Sequence, residues 1–142
     1  MDIRPFRESD VGDIVALWRN VFGYTASHND PAKVIRQKLA FEHNLFFVAE
    51  VDRLLVGTVM GGYDGHRGWI YSLAVRPELR HRRIGTALME HVERELAKKG
   101  CPKVNLQVVT SNDATVAFYK QLGYLVEERV SMGKLLNSPI AD

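Results

Sequence analysis

The chain has 142 residues, 46% of them hydrophobic and 25% charged, with a formal net charge of +2. That length suffices for one domain with its own core, and no apolar run approaches the roughly 18 residues of a membrane span. A single cysteine, Cys101, excludes an intrachain disulfide or a cysteine-based metal cluster, and so small a charge does not by itself imply a polyanionic partner.

The N-terminus, Met1-Asp2-Ile3-Arg4, lacks a cleavable-signal pattern, so the cytoplasm is the expected compartment. Ile3 to Phe6 predicts an opening strand. Ser9 or Asp10 then caps a helix in which Val11, Ile14, Leu17, Trp18, Val21 and Phe22 recur at three- and four-residue intervals, ended by Gly23. Asp30-Pro31 starts a second helix with Ile35 and Leu39 on its buried side, fading by His43-Asn44. Leu45 to Val51 and Leu54 to Tyr63 read as an antiparallel hairpin about Asp52-Arg53, and Gly57 marks a bulge or a close backbone approach.

Trp69 to Val75 predicts another strand. After Gly85 comes a helix with Ile84, Leu88, Val92 and Leu96 on one face and the pairs Glu90–Arg94 and Glu95–Lys99 on the other. Gly100 and Pro102 stop it. Cys101 reads as a small hydrophobe near that helix end rather than as a nucleophile. Val104 to Val109 is an expected strand, Asn112 caps a shorter helix through Leu122, and the alternation of Val126, Val130 and Met132 predicts a last strand. The whole is an α+β sandwich with helices on both faces of a mixed sheet. Residues 1–136 form the expected single domain, and 137–142 a loose tail.

The informative stretch is Leu73-Ala74-Val75-Arg76-Pro77-Glu78-Leu79-Arg80-His81-Arg82-Arg83-Ile84-Gly85-Thr86-Ala87. A strand ends at a proline turn, and a basic loop runs straight into a helix. The first turn of a helix leaves N–H groups unpaired and carries about half a positive charge, which favours a phosphate. Gly85 lets the backbone come close, and arginines add forked contacts. A solvated basic helix start has the same pattern, so on these grounds both readings stay open. Nucleic-acid binding through Arg76 to Arg83 is disfavoured, because the basic stretch is short and has no interleaved aromatic platform. No His, Asp or Glu grouping has the spacing of a metal site.

These residues resemble the GNAT superfamily of N-acetyltransferases. The family's motif Gln/Arg-x-x-Gly-x-Gly/Ala is met by Arg80, Ile84 and Gly85 in register, after the family-like Leu73-Ala74-Val75-Arg76-Pro77. A second motif, Asn-x-x-Ala-x-x-x-Tyr-x-x-x-Gly-Phe/Tyr, is met by Asn112, Tyr119, Gly123 and Tyr124. Two departures stand out: Arg83 replaces the first motif's leading glycine, and Thr115 its counterpart small residue in the second. Gly61 to Gly68 looks most like the small bacterial YpeA-type members.

The resemblance implies a three-layer α/β/α sandwich whose mostly antiparallel sheet splays between strands 4 and 5. It implies acetyl-CoA as co-substrate, its pantetheine arm beside Leu73, Ala74 and Val75. The pyrophosphate would lie on Arg80, His81, Arg82, Arg83, Ile84, Gly85 and Thr86, within the segment Arg80 to Ala87. Asn112 is implied as a further cofactor contact, and Tyr119 both as a contact and as the acid that protonates the leaving thiolate. The implied activity is acetyl transfer to a primary amine through a tetrahedral intermediate, with a non-catalytic coenzyme A sensor as the alternative. Asp64, His66, Tyr71, Glu50 or water is left as general base. Neither a membrane nor nucleic acid is an expected partner, and a monomer and a homodimer are equally compatible. Acceptor choice is expected to lie with Gly23 to Asn29, where Tyr24, His28 and the adjoining Asp30 are polar, and with the stretch after Tyr124.

Overall fold

Asp2–Pro5 opens the structure as strand β1, followed by helices α1 (Val11–Phe22) and α2 (Pro31–Phe41). Then come β2 (Phe46–Val51), β3 (Leu54–Tyr63), β4 (Gly68–Val75), helix α3 (Ile84–Lys98), β5 (Val104–Asn105) and α4 (Asp113–Gln121). This is a computed structural model, and it describes residues 1–23 and 30–136. The chain forms two compact units, Met1–Gln107 with the sheet and α1 to α3, and Val108–Asp142 with α4.

In the first unit the strands lie in chain order, β1-β2-β3-β4-β5. The first four are antiparallel, while β5 runs parallel to β4. The helices follow from local chemistry. Asp30 accepts a hydrogen bond from Lys33 N, and Pro31, with no N–H to leave unpaired, takes the first turn of α2. Gly23 ends α1 at φ 59, in the left-handed region that a side chain disfavours.

Helices α1 and α2 cover one sheet face, where Ile14, Trp18 and Ile35 pack with Phe46, Val48 and Met60. Trp18 and Phe6 both stack on the Phe46 ring. Helix α3 covers the other face with Ile84, Leu88, Val92 and Leu96, all buried as their four-residue spacing predicts. Each such side chain stabilises by about 1.5–3 kcal/mol before entropy is counted. The close approach at Gly57 is real: a Cβ there would stand 2.9 Å from both Ala74 O and Leu88 Cδ1. The three-layer α/β/α sandwich is therefore the observed architecture.

Some expectations need correction. Glu95 pairs with Lys98, at 2.8 Å, rather than with Lys99. The strand expected over Val104 to Val109 is cut to Val104–Asn105, because only Gly68 and Trp69 of β4 offer it ladder partners. In the second unit the alternating Val126, Val130 and Met132 form no strand among the described residues and are exposed. Alternation describes a strand's two faces, but it is the ladder partner that makes the strand.

Candidate active site

Strand β4 has an open edge. Its pairing with β5 covers Gly68↔Val104 and Trp69↔Asn105, while its pairing with β3 runs on to Gly57↔Val75. From Ile70 onward the side of β4 away from β3 therefore has no ladder to β5. This is the splay expected between strands 4 and 5, and it leaves Leu73, Ala74 and Val75 on the open stretch.

That stretch is also bulged. Between the pairs Thr58↔Ala74 and Met60↔Tyr71, the two residues Ser72 and Leu73 oppose only Val59. Ser72 takes φ 52, a left-handed conformation costly for a residue with a Cβ. The buried Thr58 hydroxyl donates to Ser72 O at 2.9 Å, and the buried Trp18 indole N–H donates to Thr58 Oγ1 at 2.8 Å.

Beyond β4 a short 3-10 turn, Pro77–Leu79, leads into the basic loop. Arg76 does not belong to the loop's free charge. Its Nε donates to Leu55 O at 2.9 Å and its backbone N–H to Val56 O, tying the strand end to β3. Arg80, His81, Arg82 and Arg83 are exposed. Two of them are left-handed, His81 at φ 67 and Arg83 at φ 63, and Arg83 is the residue immediately before α3. The motif's missing glycine thus stands where the backbone demands positive φ. Arg83 provides no side-chain cap, and the helical ladder begins with Ala87 N donating to Arg83 O. The N–H groups of Ile84, Gly85 and Thr86 have no intrahelical acceptor and point out of the helix end. A negatively charged group fits there, since the loop's cations and the helix dipole act together.

In the second unit, the Asn112 carboxamide accepts from Thr115 N at 3.2 Å and so caps α4. Gly123, at φ 96, closes that helix, with Tyr124 N donating to Tyr119 O. Tyr119 is buried, edge-on to Phe118 and Tyr124, and burial pushes its phenol up to about 12.

The candidates for general base separate clearly. Glu50 accepts from Arg4 Nε at 2.6 Å, which holds its carboxyl below the ordinary range. Asp64 accepts from the backbone N–H of His66 and Arg67, each at 2.8 Å, and is likewise held low. His66 sits in that exposed turn. Tyr71 lies on the α2 side of β4, its phenol pushed up by burial and by the charges of Asp64 and Glu42.

Sequence reasoning missed three neighbours of this strand. Lys38 donates to Glu42, at 3.2 Å, and to Gly61 O, and burial pushes its ammonium down. Gly62 lies beside this pair and Tyr71, with Glu42 Oε1 and Tyr71 Cε2 at ordinary contact distance, 3.4 and 3.6 Å, from where a Cβ would stand. The four-residue spacing of Lys38 and Glu42 was a visible signal. The third, Thr58, offered none, since a threonine in a strand is ordinary. Tyr24 and His28 lie outside the described residues, while Asp30 caps α2 and faces Arg19 at 3.5 Å. Among the described residues, no group of three or more His, Cys, Asp or Glu side chains could hold a metal ion, and no helix is long and apolar enough to cross a membrane.

Known proteins share this architecture. Ard1 from Thermoplasma volcanium superposes with a TM-score of 0.77 at 24% identity, over 89% of this chain and 83% of its own. PaiA N-acetyltransferase from Thermoplasma acidophilum, solved with coenzyme A, gives 0.76 at 20% identity over 91% and 92%. In sequence, Acetyltransferase YE1169 of Yersinia enterocolitica is 42% identical over 136 residues, 96% of each chain. The profile of the Acetyltransferase (GNAT) family matches residues 13–124. A match of that extent, joined to a relative so alike from end to end, makes this protein an N-acetyltransferase of the GNAT family.

Proposed function

We propose that the protein transfers the acetyl group of acetyl-CoA directly to a primary amine, with residues 1–136 working as one catalytic domain in the cytoplasm. The observation that carries this reading is the open edge of β4 from Ile70 to Val75, leading through the proline turn to a helix whose first N–H groups are unsatisfied. An extended amide-bearing arm pairs with such an edge as an added strand does. The N–H groups of Ile84, Gly85 and Thr86, with Arg80, His81, Arg82 and Arg83 around them, hold the pyrophosphate.

The thioester supplies an acetyl group already activated for transfer. Backbone N–H on the bulged part of β4 stabilises the negative charge that develops on its oxygen. Tyr119, at the position that the second motif gives a phenolic acid, donates a proton to the departing sulfur, and its raised pKa keeps it protonated at all working pH values. Asn112 holds the start of α4 and adds a cofactor contact. With Glu50 and Asp64 committed to structural bonds, water relays the acceptor's proton to bulk.

Titration calorimetry with acetyl-CoA, followed by coenzyme A release across peptide N-termini, lysine peptides, polyamines and aminoglycosides, tests this. Binding with release for at least one amine is expected. Binding without release for any of them replaces the enzyme with a coenzyme A sensor, and no binding removes the cofactor assignment.

A further inference from the structure

The geometry points to Thr58, backed by Trp18, as the positioning residue that aims the Leu73 N–H into the open side of β4 as the oxyanion donor. This deepens the proposed function and rests on it.

The peptide between Ser72 and Leu73 joins the two residues of the bulge. Among the described residues no peptide bond is cis, so this unit is trans, and its C=O and N–H point in opposite directions. Its carbonyl is directed at Thr58 Oγ1, a side-chain atom of β3. The Leu73 N–H therefore points away from Thr58, and alternation back from Arg76, whose N–H donates to Val56 O, turns it from β3 toward the side where β4 has no ladder with β5. A regular strand alternates its N–H groups between both neighbours. Here the bulge takes Ser72 and Leu73 out of register with β3, and the hydroxyl of Thr58 replaces the lost ladder contact.

The alternative orientation of this peptide is a rotation, which positive φ at Ser72 brings within reach. Left-handed backbone at a serine is held by its surroundings rather than by intrinsic preference. Thr58 supplies that hold. Its hydroxyl has one proton, and Trp18 settles where the proton goes. The indole N–H is a donor only, so Thr58 accepts from Trp18 and is left to donate to Ser72 O. Both side chains are fully buried, so water cannot take either place. Neither touches the substrate; they act through the backbone of β4.

The test compares Thr58→Val, Thr58→Ser and Trp18→Phe with the wild-type protein, each checked for native circular dichroism. Acetyl-CoA carries the carbonyl that Leu73 N–H would bind, whereas coenzyme A does not. A loss of packing weakens both ligands alike, but a misdirected N–H weakens only the first. Calorimetry is expected to show acetyl-CoA binding to Thr58→Val about 3- to 10-fold more weakly, the scale of one net hydrogen bond, with coenzyme A affinity unchanged. Thr58→Ser, which keeps the hydroxyl, restores acetyl-CoA affinity. Trp18→Phe falls between them.

Infrared difference spectra with carbonyl-13C acetyl-CoA give an independent readout. The bound carbonyl band lies below its solution frequency in wild type and in Thr58→Ser, and returns toward it in Thr58→Val. If Thr58→Val keeps the wild-type band and the wild-type affinity ratio, the relay is wrong while the acetyl-CoA assignment stands. Should Thr58→Val fail to fold, Trp18→Phe with an unchanged band overturns the inference equally. Wild-type protein that takes up no acetyl-CoA overturns the functional reading and the relay together.

Discussion

Tyr119 and Arg83 are the residues at which local chemistry is most exacting. A buried phenol pushed up to about 12 is a poor base at every accessible pH, but it is a standing proton donor. Tyr119→Phe is expected to lower kcat by about 100-fold, the low end for general acid catalysis, with cofactor affinity unchanged by calorimetry. The sign of its pH dependence follows from the raised value: the acid form is lost only as pH climbs through about 12. Rate should therefore rise with pH as the acceptor amine loses its proton, with no descending limb up to pH 10. A fall between pH 8 and 10 would assign the proton to another group.

Arg83 illustrates a different constraint, that of the backbone. At φ 63 a Cβ costs roughly 1 kcal/mol. Comparing Arg83→Gly with Arg83→Ala removes the side-chain charge from both and isolates that cost. The glycine variant is expected to be the more stable by about 1 kcal/mol in urea unfolding, and both should retain cofactor binding through backbone N–H groups.

At the scale of elements, the packing of α3 on the sheet depends on small residues. Gly57 and Gly61 lie under Leu88 and Val92, and a Cβ on Gly61 would stand 2.8 Å from Val92 Cγ2. Gly57 is the stricter of the two, because its blocking neighbour includes the backbone oxygen of Ala74. Gly57→Ala is expected to cost about 1–3 kcal/mol, and Gly61→Ala less, since Val92 can shift. Chemical denaturation of the two variants checks the order. The helix faces here were legible beforehand, because a 3.6-residue period needs nothing beyond its own chain. The ends of β5 were not, because a strand stops where its neighbour's ladder stops.

For the molecule as a whole, the Arg4 network joins the first strand, the start of α1 and the second strand. Arg4 forks onto both oxygens of Asp10 at 2.8 and 2.9 Å and reaches Glu50 through Nε. Burial pushes the Asp10 carboxyl up, but the Arg4 bonds, the Arg7 N–H and the charges of both arginines outweigh it and hold the group below its ordinary value. A carboxyl depressed in the folded state stabilises above its unfolded pKa and loses that contribution as pH falls through the folded one. Thermal midpoints should therefore drop from about pH 4 downward. Asp10→Asn should cost about 1–3 kcal/mol at pH 7 and flatten that acid limb, because Arg4 loses its buried partner and keeps only Glu50.

The sequence by itself determined the helices, the hairpin, the order of elements as far as α4 and the two motifs that carry the family. Each rests on near-neighbour spacing: a cap at Asp30 or Asn112, apolar residues four apart in α3, a glycine ending a helix. Only the tertiary structure decided that β4 opens from β5 after Trp69, that Arg76 is tied to Leu55, and that Glu50 and Asp64 are already engaged. It also joined Trp18, Thr58 and Ser72 into one relay, across separations of 40 and 14 residues. Such contacts depend on where the folded chain places distant backbone, and no local pattern records that. Among the described residues the alternating Val126, Val130 and Met132 lie outside any strand, an outcome their local pattern does not record.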